Sequence, residues 1–118
     1  MKMIPLFRCT SMKKAIAFYT ETLDFELSAE STPDDVVVVL SNGNAELMLS
    51  TIDGLSGNVT NIVVENIDSL FQKYIQRGLD ISTKSESPIH QGPLNQTWGT
   101  REFYVTDPDC NTLRFQQR

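Results

Sequence analysis

Apolar residues recur at helical spacing twice along this chain. Met12, Ala15, Ile16, Tyr19 and Leu23 form one stripe, and Ile67, Leu70, Phe71, Tyr74 and Ile75 form the other. Around each stripe lie short runs of β character. Met3 to Arg8 reads as a strand before the first helix, with Thr10 and Ser11 marking where that helix starts. Phe25 to Ser28, the β-branched run Val36 to Leu40, and Ala45 to Leu49 read as the strands that follow. The last two flank Ser41-Asn42-Gly43-Asn44, and Asn-Gly between apolar runs signals a hairpin because both residues tolerate positive φ.

The second half repeats the order. Thr60 to Val64 reads as a strand and Asn66 as a helix N-cap; Asp68 near the start and Lys73 and Arg77 near the end suit the helix dipole, and Gly78 is the stop. Arg101 to Val105 and Thr112 to Phe115 form a closing hairpin around Asp107-Pro108-Asp109-Cys110-Asn111. Met12, Ala15, Ile16 and Tyr19 superpose on Ile67, Leu70, Phe71 and Tyr74 in one register. Leu23-Asp24-Phe25 echoes Leu79-Asp80-Ile81 after a one-residue slip at the helix end. The expected fold class from this pattern is α+β: two βαβββ modules, about 1–55 and 56–118, making one domain.

Composition narrows the class. With 118 residues, 40% hydrophobic and 21% charged, the chain has material for one core, and disorder is excluded. Val36 to Leu40 is the longest purely apolar stretch, far below the roughly 18 residues that cross a bilayer. Ile4 to Phe7 is too short for the hydrophobic region of an export signal, so a cytoplasmic protein is expected, with Cys9 and Cys110 as reduced thiols. A net charge of −5 without a basic run argues against nucleic acid, whose phosphates call for clustered Lys and Arg. The same charge weakly favours a cationic ligand.

Ser82 to Thr100 breaks the repeat, and long irregular stretches inside compact domains are more often functional than idle. It holds the one His, His90, and the one Trp, Trp98. His90 could serve as a general base, although a His flanked by Pro and Gly is more often a solvated side chain.

Ala17-Phe18-Tyr19 followed by Leu23-Asp24-Phe25, the second module of the same order, and Trp98-Gly99-Thr100-Arg101-Glu102-Phe103 with Asp107-Pro108-Asp109-Cys110-Asn111 resemble the glyoxalase/bleomycin-resistance/dioxygenase (vicinal oxygen chelate) superfamily. The similarity spans essentially the whole chain, and its closing motif looks like the bleomycin-resistance branch. Cys110 stands where that branch usually has Gly, which implies a reshaped or slightly strained turn.

The resemblance implies that the modules form a curved, mostly antiparallel sheet and pair in a homodimer, two curved sheets per dimer each formed around paired modules, with ligand sites in the sheet concavities. In the enzymes of the superfamily it implies one divalent metal held by His and Glu. The matching positions here are Ile4, Met48, Asn61 and Arg114. Ile has no donor atom and a guanidinium repels a cation. Asn61 offers one weak oxygen, and a register slip of two would bring in Glu46. No cofactor is therefore expected, the alternative being one divalent metal.

Strand alternation places Glu102, Tyr104, Thr112 and Gln116 on the face of Arg114, with Trp98 and Thr100 in phase if the strand begins early. Glu46, Met48 and Ser50, with Ile4, Leu6 and Arg8, extend such a face in the first module. The candidate ligand-binding residues are Trp98, Glu102, Tyr104, Arg114, Met48 and Asn61, and no catalytic residue is nominated. Plainer readings stand beside these: Trp98 as a packed edge or interface residue, Glu102 and Arg114 as a pair satisfying each other. The reading that follows is a small-molecule binder resembling antibiotic-resistance proteins of the bleomycin type, which sequesters an aromatic or cationic compound without catalysis. An enzyme of the same superfamily, a lyase, isomerase or dioxygenase with displaced metal ligands or none, is the alternative.

Overall fold

A computed structural model of the chain describes residues 1–81 and 92–118. The chain divides into two compact units, residues 1–58 with 107–111, and residues 59–106 with 112–118. The tip of the closing hairpin thus belongs to the first unit, whereas the sequence pattern assigns it to the second module. His90 lies outside the described residues.

In the first unit, β1 (Leu6–Arg8), helix α1 (Met12–Ala17), β2 (Glu26–Leu27), β3 (Val37–Asn42) and β4 (Ala45–Ser50) follow one another. Their sheet has the order β1-β4-β3-β2, with β1 parallel to β4 and the other pairs antiparallel. Period-2 alternation buries Phe7, Val38, Leu40, Leu47 and Leu49 together with Met12, Ala15, Ile16 and Tyr19 of the helical segment. Ser11 caps α1 by accepting from the Lys14 amide. Two expectations shift here. The first strand starts at Leu6 rather than Met3, and β3 runs on through Ser41 and Asn42, so that of the four residues Ser41 to Asn44 only Gly43-Asn44 lie between β3 and β4. Gly43 alone has positive φ there, at 56°, the arrangement of a turn that takes glycine first.

The slip between the modules also has a structural cause, and it runs opposite to the sequence reading. Beyond Ala17 the helix widens into a π turn, Phe18–Thr22, with the Leu23 amide donating to the Phe18 carbonyl. Asp24, at φ 65°, then ends the helix and the Phe25 amide donates back to Tyr19. In the second unit Gly78, at φ 92°, ends the helix and the Leu79 amide donates back to Tyr74. Phe25 is therefore the counterpart of Leu79, and the π turn is the first module's extra residue.

The second unit contains β5 (Val59–Val63), α2 (Ile67–Gln76), β6 (Leu94–Asn95), β7 (Arg101–Thr106) and β8 (Thr112–Gln117), in the sheet order β5-β8-β7-β6. Only β5 and β8 run parallel. Both modules are thus βαβββ as expected, and each forms a mixed, mostly antiparallel four-stranded sheet. On one face of the second sheet Phe103 stacks on its cross-strand partner Phe115 at 4.9 Å. Phe71 and Tyr74 of α2 meet these rings edge-on. No helix among the described residues is long and apolar enough to cross a membrane.

Candidate functional site

The other face of the second sheet carries the polar residues. Tyr104 lies opposite Arg114 and Glu102 opposite Gln116, as strand alternation predicts. Trp98 and Thr100 sit in the turn between β6 and β7, which the Gln96 and Gly99 amides close by donating to the Thr100 and Gln96 carbonyls. That turn folds the two side chains back toward Glu102.

Glu102 is the hub, and it is only 1% exposed. Its Oε1 accepts from Arg114 Nη2 at 2.8 Å and from the Tyr104 hydroxyl at 3.2 Å. Its Oε2 accepts from Trp98 Nε1 at 3.0 Å and from the Thr100 hydroxyl. An ionised carboxylate has about four lone-pair positions, so four donors saturate it. Burial pushes the Glu102 carboxyl up, but the hydrogen bonds from Thr100, Arg114 and Trp98 and the charge of Arg114 outweigh it and hold the group at about 2. Arg114 in turn lies over the Tyr104 ring at 5.0 Å. Burial raises the Tyr104 hydroxyl, so it remains a donor at neutral pH.

The outer surface of this cluster differs from its interior. Trp98 is 61% exposed although its N–H is pinned to a buried carboxylate. Arg114 keeps 27% of its side chain exposed, while its Nε–H is buried and has no acceptor among the described residues. Asn61 is exposed on β5, beside Arg114 in the ladder. Four of the six candidate residues, Trp98, Glu102, Tyr104 and Arg114, therefore form one bonded cluster, with Asn61 adjacent to it. Met48 belongs to the first unit, paired with Leu6 and Val39 on the sheet face away from the core. Thr100, considered above only for its phase, turns out to be a hub donor. Its signal in the sequence is the alternation Trp98-x-Thr100-x-Glu102-x-Tyr104.

A second polar cluster, in the first unit, has no counterpart among the sequence-derived candidates. Asp107 is buried and accepts from the Tyr19 hydroxyl at 2.8 Å, from Asn111 Nδ2 at 2.9 Å, and from the Asp109 and Asn111 amides. Asn111 Nδ2 also donates to the Arg8 carbonyl, and Asp109 accepts from Thr10. Each of these donors is matched by an acceptor, so the cluster builds the turn that holds Cys110 at φ 65°.

The positions that would hold a divalent cation in the superfamily's enzymes do not fit one. Ile4 precedes β1 and bears no donor; Arg114 is committed to Glu102, whose oxygens are saturated; Glu46 is ion-paired with Lys2. No group of three or more His, Cys, Asp or Glu side chains converges among the described residues.

The sequence profile of the Glyoxalase/Bleomycin resistance protein/Dioxygenase superfamily matches residues 5–115. The chain belongs to this superfamily. Solved structures share its fold across the whole chain. A bleomycin-binding protein complexed with bleomycin is 22% identical with a TM-score of 0.82, covering 100% of this chain and 98% of that one. The bleomycin-binding protein of bleomycin-producing Streptomyces verticillus, complexed with copper(II)-bleomycin, is 20% identical, with a TM-score of 0.75 over 98% and 93%. A lactoylglutathione lyase from Agrobacterium tumefaciens is 12% identical, with a TM-score of 0.75 over 99% and 92%. Binding proteins and an enzyme thus share this superfamily fold, so the function has to be argued from the site. A comparison with curated protein sequences finds no match.

Proposed function

We propose that the protein is a small-molecule binding protein that sequesters a planar aromatic compound, without catalysis and without a metal, as a homodimer. One observation carries this reading. The indole of Trp98 is exposed, yet its N–H is anchored on a buried carboxylate that three further groups hold in place. An exposed aromatic face fixed in advance loses little side-chain entropy when a ring stacks on it, which favours affinity. Similarity to proteins solved with bleomycin supports a binding role. The exposed Trp98 face could also receive a cation, but Glu102, closed by its four donors, adds no open carboxylate to pair with it.

Sequestration requires affinity alone: a micromolar complex corresponds to about −8.2 kcal/mol. Calorimetric titration with 2-naphthol tests the reading. Saturable binding is expected, weakened about three- to tenfold by Trp98→Ala, in line with the worth of one aromatic contact. Equal affinity in the variant overturns the assignment of Trp98. Metal analysis of the freshly purified protein is expected to find no stoichiometric Ni, Co, Zn, Mn or Fe. One equivalent would turn the search toward lyase and dioxygenase substrates. Sedimentation equilibrium checks the homodimer.

A further inference from the structure

The proposed binding site leaves the charge of its ligand open, and the arrangement of Glu102 and Arg114 bears on it. The two ions are not equally accessible. Glu102 lies beneath the surface at 1% exposure with both oxygens saturated, whereas 27% of the Arg114 side chain reaches solvent. Arg114 donates to Glu102 through Nη2 and also interacts with the Tyr104 side chain, and its Nε–H is buried without an acceptor among the described residues, so a ligand meets only the part of the side chain that reaches solvent. A guanidinium carries five N–H donors, so its demand for acceptors exceeds what a saturated carboxylate supplies.

A group arriving from solvent therefore meets the cation first and the anion behind it. Coulomb energy falls with distance, so an anionic group in contact with Arg114 gains more from the guanidinium than it loses to the carboxylate beyond. The net charge of −5 opposes this weakly, because charges beyond a screening length of about 8 Å contribute little at physiological salt. Trp98 shares Glu102 with Arg114, which brings an exposed ring and a partly exposed cation to one hub.

Building on the reading of Trp98 as the ring platform, we propose that the ligand class is a planar aromatic carrying an anionic group, a carboxylate or its equivalent, with the ring on Trp98 and the anion on Arg114. The carboxylate of Glu102 is a positioning residue: it orients both partners and does not touch the ligand.

The protein's one Trp gives a single indole N–H resonance, and its shift on titration reports binding at this place. Three probes of matched ring size separate the charge classes: 2-naphthoate, 2-naphthamide and 2-naphthylmethylammonium. The expected order is naphthoate tightest, about tenfold over the amide, the gain typical of a charge-assisted contact that is partly exposed, and the ammonium weakest. The paired variant Glu102→Gln with Arg114→Gln removes both charges together and leaves no uncompensated buried ion. It is expected to bind naphthoate and naphthamide alike. Arg114→Lys keeps the charge and is expected to keep part of the preference. Equal binding of the three probes by the natural protein overturns the proposed charge class while leaving the ring-binding reading intact. Tightest binding of the ammonium also overturns it, in favour of a cationic ligand. Failure of all three to shift the resonance overturns both readings.

Discussion

Glu102 offers a direct test of how this cluster is held together. Its carboxyl is held at about 2, against an ordinary value of 4.5, by Thr100, Arg114 and Trp98 acting against the cost of burial. At about 1.4 kcal/mol per pKa unit, the ionised form contributes on the order of 3 kcal/mol to folding. The sign follows from the direction of the shift. A carboxyl with a folded pKa below its unfolded one stabilises the protein above the unfolded value, and the contribution is lost as pH falls through the folded value. The window is therefore from about pH 5 down to about pH 2. Asp107 works in the opposite sense, because burial raises its carboxyl, but it contributes equally to any Glu102 variant. The measurement is urea denaturation of the natural protein and of Glu102→Gln at intervals across this window, followed by Trp98 fluorescence and far-ultraviolet circular dichroism. The stability gap between the two proteins should shrink by about 3 kcal/mol from pH 5 to pH 2. Parallel curves would refute the reasoning, since they would mean that the four donors do not favour the charged form.

Tyr19→Phe removes a hydroxyl that donates to buried Asp107, and it should cost about 1–3 kcal/mol in denaturant, as expected when a buried acceptor loses a partner. Cys110→Gly should stabilise the protein by roughly 1 kcal/mol, because Cys110 holds φ 65° and glycine pays no Cβ penalty there; a lower midpoint would show that the thiol packs usefully. Thiol labelling at pH 8 should modify one cysteine rapidly in the native protein and two in denaturant. Cys110 is exposed, whereas burial, with help from the nearby carboxylates Asp109 and Asp107, pushes the Cys9 thiol up to about 11. Phe103→Ala should cost about 3–5 kcal/mol, since the ring is fully buried between Phe115 and Phe71.

Much of the candidate site is legible in the chain's own pattern. Alternation along Arg101 to Thr106 and Thr112 to Gln117 puts Glu102, Tyr104 and Arg114 on one face and Phe103, Val105, Leu113 and Phe115 on the other, and the register agrees. The pairing of Glu102 with Arg114 is the plainer reading of those two positions, and it is made. What it does to the two ions is not legible, because saturation of a carboxylate depends on donors that converge from a turn, a neighbouring strand position and a second strand. Phase alone places Trp98 near the hub, but the bond from its indole N–H follows from how the 96–100 turn closes. The Tyr19–Asp107 contact joins residues 88 apart, beyond the reach of any local pattern.

The sequence by itself determined the two βαβββ modules, the faces their strands present, the start of the first helix after Thr10 and Ser11, the cap at Asn66, and the stop at Gly78. Periodicity and capping act within a few residues, and those preferences survive in the folded chain. Tertiary structure alone decided that the modules build two four-stranded sheets, that a π turn carries the first module's extra residue, and that the 107–111 tip joins the first unit. It also decided which ion of the Glu102–Arg114 pair meets solvent. Burial and the matching of hydrogen bonds are settled by residues far apart in the chain, so they come into being only when those residues are brought together.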